Sequence, residues 1–123
     1  VSFGSDYLPK PTREEAARIK RIKALGCLAC RDEGLGIVPG EAHHLTKVDK
    51  HGQVRLGHAF TVSLCCWHHR GEPHDGRTVA YCRVAYGPSL ALQPVAFRRR
   101  YGTGQQLLEK QERVLRADPW RSL

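Results

Sequence analysis

Between Cys27 and His74 the chain gathers most of the side chains that can do chemistry. Cys27-Leu28-Ala29-Cys30 is followed by Glu41-Ala42-His43-His44, then Leu64-Cys65-Cys66-Trp67-His68-His69, then His74. Two residues separate Cys27 from Cys30, and two separate Cys65 from His68. That spacing lets one tight turn aim both side chains at a single ion, and a Cys3His set suits tetrahedral zinc. Zinc would then tie two distant segments together. Cys66 is an alternative to Cys65, but only one residue separates it from His68, which makes a poor knuckle. Two other readings compete with the metal site. A redox C-x-x-C should open a helix after a strand, whereas Cys27 follows a helical pattern. Scattered buried thiols are the other. Cys82 has no partner in this scheme and reads as a small core residue.

The histidines suggest a second kind of chemistry. Neighbours on a strand face opposite sides, so one of His43 and His44 can face a metal while the other addresses a water. His69 and His74, with His43, would form a three-nitrogen face that leaves metal positions open for water and phosphate. Hydrolysis of a phosphodiester needs a deprotonated water, neutralised phosphate oxygens and a stabilised leaving oxygen. Imidazole titrates near neutrality and suits the first task. Arg70, beside His69, is a candidate for phosphate charge. His58 is a candidate for orienting a loop by hydrogen bonding, and His51 reads as exposed loop. The competing reading of each histidine is a surface or satisfied core residue.

These residues need elements to position them. Thr12-Arg13-Glu14-Glu15 is a capping box. Ala16, Ile19, Ile22 and Leu25 follow at helical spacing and Gly26 is the natural stop, so a helix is expected over about 13–25 that delivers Cys27. Gly34 to Gly40 reads as loop. Two short strands are expected at Glu41–Lys47 and His58–Leu64, joined by an exposed basic loop over Val48–Gly57. Cys65–Arg70 should form a short helix ending near Gly71. Thr78–Val84 fits either strand or helix. Pro94–Tyr101 reads as a helix with Phe97 and Tyr101 on one face. Thr103-Gly104-Gln105-Gln106 is a second capping box, and Leu107, Leu108, Gln111, Val114 and Leu115 give the last helix its apolar face.

The 123 residues carry 20 Lys+Arg against 12 Asp+Glu, a formal net charge of +8, with pI ≈ 9.6. This balance favours a polyanion partner, of which nucleic acid is the commonest. Lys47, Lys50, Arg55, Arg98, Arg99 and Arg100 are candidate nucleic-acid contacts; the arginine run also fits a solvated helix face. Steep weakening by salt would mark phosphate contact. With no recognition-helix pattern, cutting directed by shape, or a partner that supplies the target, is expected. The expected organisation is a flexible leader at 1–11, a single domain at 12–118 with its core at 27–76 and C-terminal helices at 94–117, and a tail at 119–123. No run is apolar enough to span a bilayer and no secretory signal is read, which points to a reducing cytoplasm, where paired cysteines favour metal over disulfide.

Leu25-Gly26-Cys27-Leu28-Ala29-Cys30, Ala42-His43-His44-Leu45, His58 to His69, Pro73-His74-Asp75-Gly76 and Phe97 to Gly102 together resemble the HNH, or ββα-metal, endonucleases. More closely, they resemble the bacteriophage recombination-enhancement (Ref-like, RecA-dependent) nucleases. The resemblance covers roughly residues 13–116 with gaps. It implies a small irregular α+β domain, a ββα-metal core stapled by zinc with flanking N- and C-terminal helices. It implies a metal-dependent DNA endonuclease of phage or prophage origin linked to recombination, leaving a 5′-phosphate and a 3′-hydroxyl. His44 would be the general base, His43 the first ligand of a catalytic metal, and His69 and His74 the remaining ligands. His58 stands at the motif's central Asn and would support the loop that carries the base. The cofactors implied are a structural Zn2+ and a catalytic divalent ion, Mg2+, Mn2+ or another transition metal. An all-histidine set is softer than an oxygen site and favours transition metals. The partners implied are DNA and, from the family alone, a RecA-type recombinase filament. Residues 77–93 look like an insertion with no assigned role. The alternatives are a non-catalytic zinc module that binds DNA and an adaptor acting on a recombinase filament.

Overall fold

The structure, a computed structural model, describes residues 8–46 and 56–117. Eight elements follow one another: α1 (Arg13–Leu25), α2 (Leu28–Asp32), β1 (Glu41–His44), β2 (Thr61–Leu64), α3 (Cys66–Arg70), α4 (Val79–Tyr86), α5 (Pro94–Tyr101) and α6 (Gly104–Ala117). This is the small α+β domain that the sequence implies. Lys47, at the end of the first expected strand, and Lys50, His51 and Arg55 of the expected basic loop lie outside the described residues.

Local signals place most of these elements. Thr12 and Glu15 close the first capping box, with Glu15 N–H donating to Thr12 Oγ1 at 3.1 Å and Thr12 N–H to Glu15 Oε1 at 2.9 Å. Thr103 and Gln106 repeat it for α6. The segment 78–84, ambiguous by pattern, is helical from Val79 with Thr78 as its N-cap: the Thr78 hydroxyl accepts from Tyr81 N–H, which commits the chain to a first turn and buries Cys82 in the core. The short helix α2 has no counterpart in the sequence reading.

β1 and β2 form an antiparallel pair with Glu41 opposite Leu64, Ala42 opposite Ser63, His43 opposite Val62 and His44 opposite Thr61. Both strands are shorter than their hydrophobic patterns suggest. Beyond His44 and Thr61 one further bond, Leu45 N–H to Phe60 O at 2.9 Å, continues the pairing, and residues 57–61 then close on themselves: Phe60 N–H donates to Gly57 O and Thr61 Oγ1 to His58 O. The pair is brought against α1 by a loop that needs Gly40, where an added Cβ would stand 1.7 Å from Ser63 Oγ.

A two-stranded sheet is marginal alone, and here its outer edge is closed by side chains. Gln111 of α6 is fully buried. Its Oε1 accepts from Ser63 N–H and its Nε2 donates to Thr61 O, each at 2.8 Å. Arg18 of α1 adds bonds to Thr61 O and Oγ1 and an ion pair to Glu112. Gln111 therefore contributes a missing strand's hydrogen bonds, a role its place on an apolar face does not announce. Trp67, Phe97, Ile22, Leu28, Leu64 and Val62 pack as the largest buried apolar side chains. No helix among the described residues is long and apolar enough to cross a membrane.

Gln111→Leu should retain packing while orphaning two buried backbone groups. A loss of about 2–4 kcal/mol is expected, read from urea unfolding at fixed zinc concentration. A loss below about 0.5 kcal/mol, the range of ordinary surface substitutions, would show that the edge does not depend on this side chain.

Candidate functional site

Four donors converge where α2 and α3 begin. Cys27 and Cys65 are the N-cap residues of these five-residue helices, and each sulfur accepts a backbone N–H three residues on: Cys30 N–H to Cys27 and His68 N–H to Cys65, both at 3.4 Å. The two knuckles thus share one construction, a ligand at the cap and a second on the first turn. His68 Nδ1 lies 3.5 Å from Cys27 Sγ, 3.4 Å from Cys30 Sγ and 3.3 Å from Cys65 Sγ, and the Cys30 and Cys65 sulfurs are 3.7 Å apart. A zinc tetrahedron has edges of about 3.8 Å between sulfurs and about 3.6 Å between nitrogen and sulfur, from its usual bond lengths. All four residues are buried, and all their donor atoms lie within 4.8 Å of one another. This group could hold zinc.

Its electrostatics favour an ion. Burial pushes the Cys27 thiol up, but hydrogen bonds from Cys30 and Cys65 outweigh this and draw it down to about 3. Cys30 is pushed far up by its hydrogen bonds to Cys27 and Cys65, by burial and by its negative neighbours. Three thiolates cannot crowd together uncompensated, and a divalent cation removes the conflict. The outer partners fix the imidazole. His68 Nε2 lies 2.8 Å from Tyr86 O; a carbonyl only accepts, so Nε2 carries the proton and Nδ1 presents its lone pair to the thiols. The Tyr101 hydroxyl stands 3.1 Å from the same carbonyl and donates to Glu33 at 2.6 Å, and Glu33 in turn pairs with Arg100.

The histidines divide into two groups on either side of β1. His43 and His69 have ring centroids 5.0 Å apart. On α3, neighbours point about 100° apart, so His68 turns to the thiols and His69 to β1. There His69 Nδ1–H donates to Glu41 Oε1 at 2.9 Å, leaving Nε2 for a metal. Glu41 also receives the Arg70 fork, Nε to Oε1 at 2.9 Å and Nη2 to Oε2 at 2.6 Å. Hydrogen bonding from Arg70, then from His69, holds the Glu41 carboxyl down to about 2 despite partial burial. Arg70, the expected phosphate contact, is thus already half engaged. Sequence reasoning assigned Glu41 no role; its place two residues before His43, on the same face of the strand, was the available signal.

His44 faces the other way. Its Nε2 lies 3.0 Å from His58 Nδ1, and His58 Nε2 lies 2.6 Å from Pro9 O. The carbonyl accepts from His58 Nε2–H, and with a singly protonated His58 ring Nδ1 is then the acceptor for His44 Nε2–H. The chain just before α1 therefore takes part in the site.

His74 does not join His43 and His69. Its Nε2 lies 3.3 Å from Cys65 Sγ and its Nδ1 3.5 Å from Cys66 Sγ, with its ring edge-on to Tyr86. Among the described residues, only the Cys3His set gathers three or more such donors. On α5, Arg100 is paired with Glu33, Arg99 is exposed and Arg98 is partly buried.

The protein should purify with one zinc per chain. Structural zinc in small domains contributes about 10–16 kcal/mol, comparable to or larger than a domain's whole stability of about 5–15 kcal/mol. Chelation, or Cys30→Ala, should therefore abolish the cooperative unfolding transition. Metal analysis beside circular dichroism checks this, and a metal-free chain that still unfolds cooperatively would refute it.

A search of curated proteins finds no match. A family model does match, over residues 11–116, from just before α1 to the end of α6, and its description is recombination enhancement, RecA-dependent nuclease. The match includes the four zinc-site donors and every histidine discussed above, and on this basis the chain belongs to that family of RecA-dependent recombination-enhancement nucleases.

Proposed function

We propose that this chain is a metal-dependent DNA endonuclease of the HNH, ββα-metal type, phage or prophage encoded, hydrolysing phosphodiester bonds. The observation that carries this reading is the hairpin itself. β1 sends His43 toward His69 on one side and His44 toward His58 on the other, so ligand and base come from adjacent residues with opposite orientations.

His44 acts as general base through Nδ1. His58 accepts the Nε2–H both before and after proton transfer, so it stabilises the imidazolium and holds the ring's orientation, while Pro9 O fixes His58 in turn. The deprotonated water attacks phosphorus, the bond to the 3′ oxygen breaks, and a 5′-phosphate and a 3′-hydroxyl result. His43 and His69 would hold the catalytic divalent ion, with Glu41 orienting His69. When bound, that ion supplies charge neutralisation on the phosphate oxygens and the leaving oxygen. Glu41 uses Nε and Nη2 of Arg70, so Nη1 remains for the phosphate. His74 lies against the zinc thiols and is not needed as a third ligand in this scheme. A RecA-type filament would present the DNA, in keeping with the family's description.

One observation favours the alternative of a non-catalytic zinc module that binds DNA: three or more donors gather only at the Cys3His set among the described residues. Cleavage of single-stranded and supercoiled DNA with Mg2+, Mn2+ or Ni2+, with and without a recombinase filament, separates the two. His44→Ala should lose about 10²–10⁴-fold in rate, the usual worth of a general base, with zinc content unchanged. Normal cutting by His44→Ala would sink the assignment of the base. Glu41→Gln should raise the divalent ion concentration needed for half-maximal rate by about 10–100-fold, as outer-shell changes do. An unchanged metal requirement would remove Glu41 from the site.

A further inference from the structure

Residues 77–93 and the arginine run meet in a cleft outside the histidine site. It has a volume of about 450 Å³, and its charged lining is Arg83 from α4, Arg99 and Arg100 from α5, and Glu33 beside α2. Glu33 forks onto Arg100, with Nε–Oε2 at 2.6 Å and Nη2–Oε1 at 2.9 Å. Among the described residues, no carboxylate pairs with Arg83 or Arg99. Three guanidiniums therefore line one opening with one carboxylate between them.

Glu33 is not positioned to neutralise the other two. The Tyr101 hydroxyl donates to its second oxygen at 2.6 Å. The turn at Gly87 lies directly over this pair: Gly87 has φ 93°, and a Cβ there would stand 2.2 Å from the Tyr101 oxygen and 2.9 Å from Glu33 Oε2. Trp67 Nε1–H holds the same turn from below through Gly87 O at 2.9 Å. The turn is thus fixed, and the cleft keeps Arg83 and Arg99 without a paired carboxylate, with Val84, Ala85, Pro88 and Ala96 also in its lining. An excess of positive charge in a cleft concentrates field on an incoming anion, and planar guanidiniums fit phosphate oxygens as forks.

We propose that this cleft is a second nucleic-acid contact, in which Arg83 and Arg99 take backbone phosphates of a strand away from the bond being cut. The proposal rests on the nuclease reading for its choice of ligand. Its openness suits a continuous chain, and the segment 77–93 acquires a job: α4 brings Arg83 to the arginines of α5. Specificity would not arise here, since phosphate contacts fix register and carry no sequence information.

The test uses full-length protein in the His44→Ala background, so that DNA stays uncut. Binding of single-stranded and duplex oligonucleotides is followed by fluorescence anisotropy over a range of salt. Arg83→Ala/Arg99→Ala should flatten the dependence of log K on log salt by about 1.4–1.8, the loss of two phosphate contacts. Arg113→Ala/Arg116→Ala removes equal charge from exposed positions of α6 and should leave the slope as it was. Unchanged zinc content and circular dichroism confirm that each variant folds. An unchanged slope in the first variant, or equal flattening in both, overturns the proposal. So does saturation of the cleft by inorganic phosphate without competition against DNA, which marks a free-phosphate site. The two readings fail separately. Cleavage by the wild type with an unaltered slope in the double variant leaves the nuclease and removes the cleft, whereas a flattened slope beside a wild type that never cuts leaves the cleft and removes the nuclease.

Discussion

The convergence of three thiols and one imidazole at the starts of α2 and α3 is the constraint on which the rest depends. Helices of five residues do not persist alone, and a two-stranded sheet scarcely does. Both become credible when Cys27 and Cys30 are tied to Cys65 and His68, because the tie fixes the end of α1 against the helix that follows β2. Burial alone would be a poor substitute. Uncompensated thiols at these distances oppose one another's ionisation, as the opposite shifts of Cys27 and Cys30 record.

The staple also orients the histidines that flank it. Once His68 is fixed by its sulfur neighbours and by Tyr86 O, the helical rotation of α3 leaves His69 little choice but to face β1. Glu41 then locks the ring and gathers Arg70. On the opposite face, His44 is ordered by a chain of hydrogen bonds ending at Pro9 O. The Cys3His cluster and the His69–Arg70 contacts to Glu41 thus share one helix, so a disturbance of the first reaches the second.

The outer shell of the staple continues to the surface. From His68 it passes through Tyr86 O and Tyr101 to Glu33 and Arg100, which border the arginine cleft. The same carboxylate that steadies Tyr101 is thereby kept from neutralising Arg83 and Arg99. Stability of the metal region and positive charge at the cleft are two consequences of one hydrogen-bonded arrangement.

Much was determined by the sequence alone, because local rules act on neighbours in the chain. The Cys and His spacing named the four residues of the Cys3His cluster, the Thr12 and Thr103 boxes placed the starts of α1 and α6, and Gly26 and Gly102 placed helix ends. The adjacent pair His43-His44 announced two opposed faces wherever a strand carried it. Only the tertiary structure decided which groups meet across the chain. Gln111 looked like part of an apolar stripe and became the hydrogen-bonding partner of β2. His74 stood in the right order to join His43 and His69 and instead rests against Cys65 and Cys66. Pro9 and Glu33 carried no signal and Glu41 only its place two residues before His43, since their roles depend on partners 49, 68 and 28 residues away, respectively. Spacing along a helix or strand fixes direction; which imidazole finds which carboxylate or sulfur depends on how those elements pack, and no local pattern encodes that.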